Sequence, residues 1–114
     1  MPFIDAKITK KLSEAQLSEL KSYLGEAISL FPGKSESWLM CSIADNCKIW
    51  FQGNDSENSA FIEVKLFGDV DSKAADKFTE KICNYLEKEI EIPSARVYVR
   101  YEGGTDWGWN GSNF

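Results

Sequence analysis

The chain contains no histidine. In a protein of 114 residues this removes the most frequent general base and the most frequent metal ligand together. Acid–base chemistry near neutral pH then falls to a carboxylate, a lysine or tyrosine of displaced pKa, a thiol, or the amino terminus itself. Cysteine is scarce too: Cys41, Cys47 and Cys83 are odd in number and widely spaced. No C-x-x-C pair occurs, so neither a dithiol redox centre nor a zinc knuckle is expected, and the thiols read as reduced. Positive charge is in deficit. Thirteen Lys and Arg face 18 Asp and Glu, a net charge of −5. Binding to a phosphate backbone needs a basic surface, so nucleic acid is not an expected partner. No apolar run nears the roughly 18 residues of a membrane helix. The start, Met1-Pro2-Phe3-Ile4-Asp5, lacks the basic and apolar stretches of a secretory signal, so none is expected.

With 43% hydrophobic and 27% charged residues, the composition fits one domain, residues 1–114, with a modest core. Ile4, Ala6 and Ile8 alternate with Asp5 and Lys7 over residues 3–8, which is strand periodicity. Ser13 and Gln16 form a capping box, flanked by Leu12 and Leu17 as a hydrophobic staple. Leu17, Leu20, Leu24, Ala27, Ile28 and Phe31 then recur at helical steps until Pro32-Gly33 stops the helix. Residues 38–43 read as a buried strand, Asp45-Asn46 as a turn, residues 48–51 as a short return strand, and residues 53–59 as a polar loop.

The plan then repeats. The pattern of residues 3–8 returns at residues 61–66, dividing the chain at about 1–58 and 59–114. Phe67-Gly68 ends that strand. Asp69, Asp71 and Ser72 gather where a second helix would begin, which favours its dipole. Ala75, Phe78, Ile82, Tyr85 and Leu86 keep helical spacing, Pro93 marks the end, and residues 97–101 form another strand. The tail from Glu102 to Phe114 is rich in Gly and Trp. The expected fold is α+β. Two pseudo-symmetric β-α-β halves form a four-stranded mixed sheet with two helices on one face, plus short extra strands. The other face is expected to carry leftover apolar residues. Together with Trp107, Trp109 and Phe114 of the tail, it should be covered by association into a closed oligomer.

These residues suggest a family. Met1-Pro2 leads straight into a strand, Gly33-Lys34 follows the first helix, Arg96-Val97-Tyr98-Val99 follows the second, and Gly108-Trp109-Asn110-Gly111-Ser112-Asn113-Phe114 closes the chain. In this order, on a β-α-β repeat, the chain resembles the macrophage migration inhibitory factor branch of the tautomerase superfamily from end to end. The resemblance implies a homotrimer with sites at subunit boundaries.

It also implies roles. Removal of Met1 would leave Pro2 as a secondary amine, the catalytic base of the family. Burial beside apolar side chains disfavours an ammonium, so such an amine would be free base near neutral pH and could move a proton next to a keto group. Without the resemblance, Pro2 reads rather as the start of an edge strand, where a missing N–H is harmless. Lys34 matches the lysine that meets a substrate carboxylate or carbonyl and stabilises the developing enolate. Phe67 falls where a backbone N–H contacts ligand, with a ring larger than the usual aliphatic side chain. Tyr98 matches a tyrosine that lines the site from a neighbouring subunit. Arg100 replaces an asparagine there with a permanent cation, which would either grip a second acidic group or pair with a local carboxylate such as Glu102. Phe3, Trp38, Trp107, Trp109 and Phe114 match pocket-wall positions, a slot suited to a flat aryl or enol substrate.

The implied function is a cofactor-independent, metal-free keto–enol tautomerase acting on phenylpyruvate-like 2-keto acids. The alternatives are a cytokine-like protein that binds a receptor through a vestigial site, and a plain ferredoxin-like domain that binds a metabolite without turnover. The family's thiol-oxidoreductase side activity is not expected, because Ser59-Ala60-Phe61-Ile62 stands where its C-x-x-C would be. The tail before Gly108 is also shorter than in the animal protein. A cytoplasmic location is expected, or export by a route needing no signal peptide.

Overall fold

Strand alternation and helical spacing sort this chain into two copies of one plan. The computed structural model describes residues 1–114. β1 (Pro2–Ile8) leads through the cap at Ser13 into α1 (Glu14–Ala27), then to β2 (Met40–Ala44). β3 (Ala60–Leu66), α2 (Ser72–Ile90) and β4 (Val97–Glu102) repeat that order, with β3 and α2 each starting 58 residues after its counterpart. The tail adds a hairpin of β5 (Gly108–Trp109) and β6 (Ser112–Asn113).

The helix starts follow from their caps. Ser13 Oγ accepts from Gln16 N, and the Gln16 side chain accepts from Ser13 N in return. Asp71 caps α2 by accepting from Ala74 N. At the other end of α2, Glu91 turns left-handed (φ 62°), and the N–H groups of Glu91 and Ile92 both bond to Leu86 O.

The sheet order is β2-β1-β3-β4. β1 runs parallel to β2, β3 runs parallel to β4, and the halves join antiparallel where β1 meets β3. Both helices lie on one face. There Ile4, Ala6, Ile8, Ile62, Val64 and Leu66 pack against Leu20, Leu24, Phe78, Ile82 and Leu86 in a single buried core.

Three expectations need correction. The first strand of the return path spans Met40–Ala44 rather than residues 38–43, because Trp38 lies in a single 3-10 turn, Glu36–Trp38. It is also not buried within one chain. It sits at the sheet edge, where Cys41 and Ile43 touch the core while Met40 is 70% exposed. Residues 48–51 form no return strand. After β2 the chain is tied across the end of β1 instead, with Asn46 N bonded to Lys10 O and Cys47 N to Ile8 O. Phe51 and Asn54 then close a tight turn on each other.

The third correction concerns the open sheet face. The expected apolar residues are there, Phe3, Met40, Phe61 and Tyr98, but they share the face with a set of charged side chains. Asp5, Lys7, Glu63, Lys65, Arg100 and Glu102 all point to that side by strand alternation, and none enters the chain's four ion pairs. No helix is long and apolar enough to cross a membrane.

Candidate functional site

Pro2 opens β1, an interior strand flanked by β2 and β3, with Leu66 as its partner on β3. The residue is buried. Next to it Phe3 faces the opposite way and lies between Met40 of β2 and Lys65 of β3. Around this strand end runs an open groove of about 460 Å³, walled by Pro2, Phe3, Trp38, Met40, Trp107 and Trp109. Lys65 contributes the one charged side chain of its wall.

The tail builds half of that wall. Asn110 (φ 52°) and Gly111 (φ 89°) form the two-residue turn that an Asn-Gly pair favours between antiparallel strands. The turn sets Trp109 edge-on against Trp38, with ring centroids 5.3 Å apart at 86°. Both indoles remain about half exposed, at 55% for Trp38 and 53% for Trp109. The tail is pinned back to the sheet where Gly68 and Gly104 exchange N–H···O bonds of 2.7 and 2.8 Å. That approach requires glycine at 103, where a Cβ would stand 2.5 Å from the Gly68 carbonyl oxygen.

Lys34 and Phe67 line a second cavity, of about 330 Å³, with Asp69 and Asp71. The Lys34 ammonium donates to the Phe67 carbonyl at 2.8 Å and lies 5.9 Å from the centre of its ring. The Phe67 ring in turn packs at a tilt of 37° against Phe114, with centroids 5.1 Å apart. The two cavities are joined through the amino terminus: Phe67 N donates to Met1 O at 3.1 Å. Around Pro2 the structure therefore gathers Phe3, Trp38, Trp107 and Trp109 directly, and Lys34, Phe67 and Phe114 through that one hydrogen bond.

Tyr98 and Arg100 are not part of this gathering. Both project from β4 onto the open sheet face, Tyr98 opposite Phe61 and Arg100 opposite Glu63. Phe61 in turn pairs with Lys7, at the far end of β1 from Pro2. Tyr98 is 62% exposed and packs edge-on against Phe51 at 5.3 Å. The Arg100 guanidinium reaches only the Tyr101 carbonyl, at 2.9 Å, and makes no pair with Glu102.

The electrostatics favour neutral groups. Burial, reinforced by the Lys34 ammonium, lowers the pKa of the terminal amine at Met1. Burial pushes the Cys41 and Cys83 thiols up, which keeps them protonated and poor nucleophiles at neutral pH. No cluster of three or more Cys, Asp or Glu is placed to hold a metal.

Two residues escaped the sequence reading. Lys65 was an unremarked polar member of an alternating strand, and only the antiparallel pairing of β1 with β3 sets it beside Phe3. Arg96 was read as part of a motif. In the fold it is buried, donating to Asn58 O, Ser59 Oγ and Asn54 O, with its guanidinium 5.3 Å from the Phe51 ring.

Comparison with known proteins bears on the family and the fold. The family model described as Macrophage migration inhibitory factor (MIF) matches residues 1–114. The chain is 30% identical to Leishmania major MIF2, whose crystal structure superposes with a TM-score of 0.90 over 100% of this chain and 97% of that one. It is also 30% identical to the macrophage migration inhibitory factor homologue of Prochlorococcus marinus, with a TM-score of 0.79 and 98% of both chains covered. Macrophage migration inhibitory factor of Xenopus tropicalis is 26% identical over 105 residues, covering 90% of this chain and 87% of the frog protein.

Proposed function

The chain belongs to the macrophage migration inhibitory factor family, and from that premise we propose that it is a cofactor-independent keto–enol tautomerase acting on phenylpyruvate-like 2-keto acids, with Pro2 as its base. The observation that carries this reading is the position of Pro2: buried at the floor of an aromatic-walled groove, and linked to the Lys34 ammonium through the Met1 carbonyl and the Phe67 backbone by two hydrogen bonds.

Removal of Met1 converts the Pro2 nitrogen from a non-basic amide into a secondary amine. It also releases the Phe67 N–H, whose partner is the Met1 carbonyl. The vacated place then has an N–H donor from Phe67, a nearby cation at Lys34 and a free amine. A 2-keto acid set there has its carboxylate and keto oxygen within the field of Lys34 and the Phe67 N–H. Both groups oppose negative charge, which grows on the keto oxygen as the enolate forms. The amine takes the proton from the adjacent carbon and returns it to the oxygen, or the reverse. Phe3, Trp38, Trp107 and Trp109 offer flat apolar surface to the aryl end of the substrate. Burial and Lys34 lower the pKa of the Met1 amine, and the same two causes acting on a freed Pro2 amine would favour its neutral, proton-accepting form.

Assembly as a homotrimer belongs to the same proposal. The exposed edge strands, the unpaired charges of the open face, and the half-exposed Trp38 and Trp109 all favour a partner copy. Tyr98 and Arg100, remote from Pro2 within one chain, would then serve the groove of a neighbour.

The test joins intact mass to turnover. Protein lacking Met1 should interconvert the enol and keto forms of phenylpyruvate. Pro2→Gly should lose about 10²–10⁴-fold in kcat/KM, the usual contribution of a positioned base, while its oligomer mass is unchanged. Undiminished turnover by Pro2→Gly would refute the role of the amine.

A further inference from the structure

The groove beside Pro2 has one charged side chain in its wall, and nothing in the chain neutralises it. Lys65 stands on β3 opposite Phe3. It lines the groove together with Pro2, Phe3, Trp107 and Trp109. Its ammonium takes part in none of the chain's ion pairs and none of its side-chain hydrogen bonds. Glu102 is its register partner on β4, yet the two side chains form no bridge. Lys65 also borders a neighbouring cavity of about 340 Å³ that contains Glu102 and Asp106, and Asp5 and Glu63 stand two residues along on the same sheet face, so these four are the carboxylates that would compete for it. Lys34, the other cation near the amino terminus, differs: its ammonium is committed to the Phe67 carbonyl in a separate cavity.

Two cations thus flank the buried Pro2 nitrogen from different cavities, with an apolar, aromatic wall on the Lys65 side. A substrate with a single carboxylate satisfies one of them. A flat substrate bearing a second anionic group at the far end of its ring or chain satisfies both, its apolar middle lying against Phe3, Trp107 and Trp109. We propose that Lys65 is a specificity-determining residue that holds this second anion, so that the preferred substrates are 2-keto acids carrying a distal carboxylate. The proposal rests on the tautomerase reading of the same groove and specifies its substrate class. Lys65 touches only the distal group and takes no part in the proton transfer.

The experiment compares phenylpyruvate with 4-carboxyphenylpyruvate on Met1-free protein, with Lys65→Met and Lys65→Arg variants beside the unaltered chain. Two readouts are taken: turnover, and affinity from quenching of the groove tryptophans. The unaltered protein should favour the dianion about tenfold in KM and in affinity, the range of one partly solvated charge-assisted bond. Lys65→Met should abolish that preference in both KM and affinity, and Lys65→Arg should restore it. A dianion no better than phenylpyruvate, or a preference that survives in Lys65→Met, overturns the proposal. The quenching readout separates the two readings. If neither compound turns over but the Lys65-dependent preference persists in binding, the tautomerase reading fails and the assignment of Lys65 stands. If phenylpyruvate turns over without any Lys65-dependent preference, the reverse holds.

Discussion

Pro2 matters through what surrounds its nitrogen. An α-amino group in water has a pKa of about 8 and is mostly protonated at neutral pH. At the Met1 amine, one residue before Pro2, burial and, second to it, the Lys34 ammonium both disfavour the charged form, and a Pro2 amine freed by removal of Met1 would be buried near the same cation. A base must be neutral to act, so kcat/KM should rise as pH increases through a pKa below the ordinary amine value, then level off. Lys34→Ala removes the repulsion and leaves the burial. The midpoint of the rise should therefore move to higher pH, apart from any loss of rate, as measured in a pH profile of phenylpyruvate turnover. An unmoved midpoint would show that Lys34 does not act on the amine. At this scale the sequence was informative about residue types: with histidine absent, the amino terminus was one of few remaining bases. It was silent about Lys65, since a lysine in an alternating strand reads as solvated until its neighbour across the sheet is known.

Among the elements, helix starts and the inner strands were legible because their causes are local. Ser13 and Gln16 satisfy each other's backbone donors wherever the helix packs. The loop at 51–59 has only a local turn, Phe51 against Asn54 with Ser56 bonded to the Asn54 side chain. It is held from a distance by Arg96, which offers three hydrogen bonds to loop oxygens and lies against Phe51. Phe51 in turn supports Tyr98. Arg96→Met keeps the apolar stem but leaves those oxygens without their donor. It should cost about 2–3 kcal/mol, the range for bonds to a charged group, measured by chemical denaturation. Amide hydrogen exchange should accelerate over residues 51–59 and leave α1 unaffected. A variant as stable as the parent would show that the loop holds itself. The missing return strand at 48–51 has the same origin: the chain there answers to the end of β1 through Cys47 N and Ile8 O, a contact that no short-range pattern encodes.

For the whole molecule, the unresolved tension of one chain is its open side. Six charged residues face outward there without an ion-pair partner, and Tyr98 and Arg100 stand among residues remote from Pro2. If the site is shared between copies, a mass near three times 12.9 kDa is expected in solution. Complementation provides the sharper measurement. Pro2→Gly and Tyr98→Ala protein, each nearly inactive alone, should regain activity when unfolded and refolded together, because random assembly restores about a quarter of shared sites. No recovery in mixed trimers would confine the site to one chain.

The sequence alone determined the α+β plan, its 58-residue repeat and its helix caps, because periodicity and capping act between residues close in the chain. It also placed the amino-terminal proline at the head of a strand. The tertiary structure decided what no local pattern carries: that β1 and β3 pair antiparallel, that this pairing sets Lys65 beside Phe3, that the open face is charged, and that the tail folds back to wall the groove. Those features depend on which distant segments meet, and strand register is fixed by the burial of a whole sheet rather than by any one of its strands.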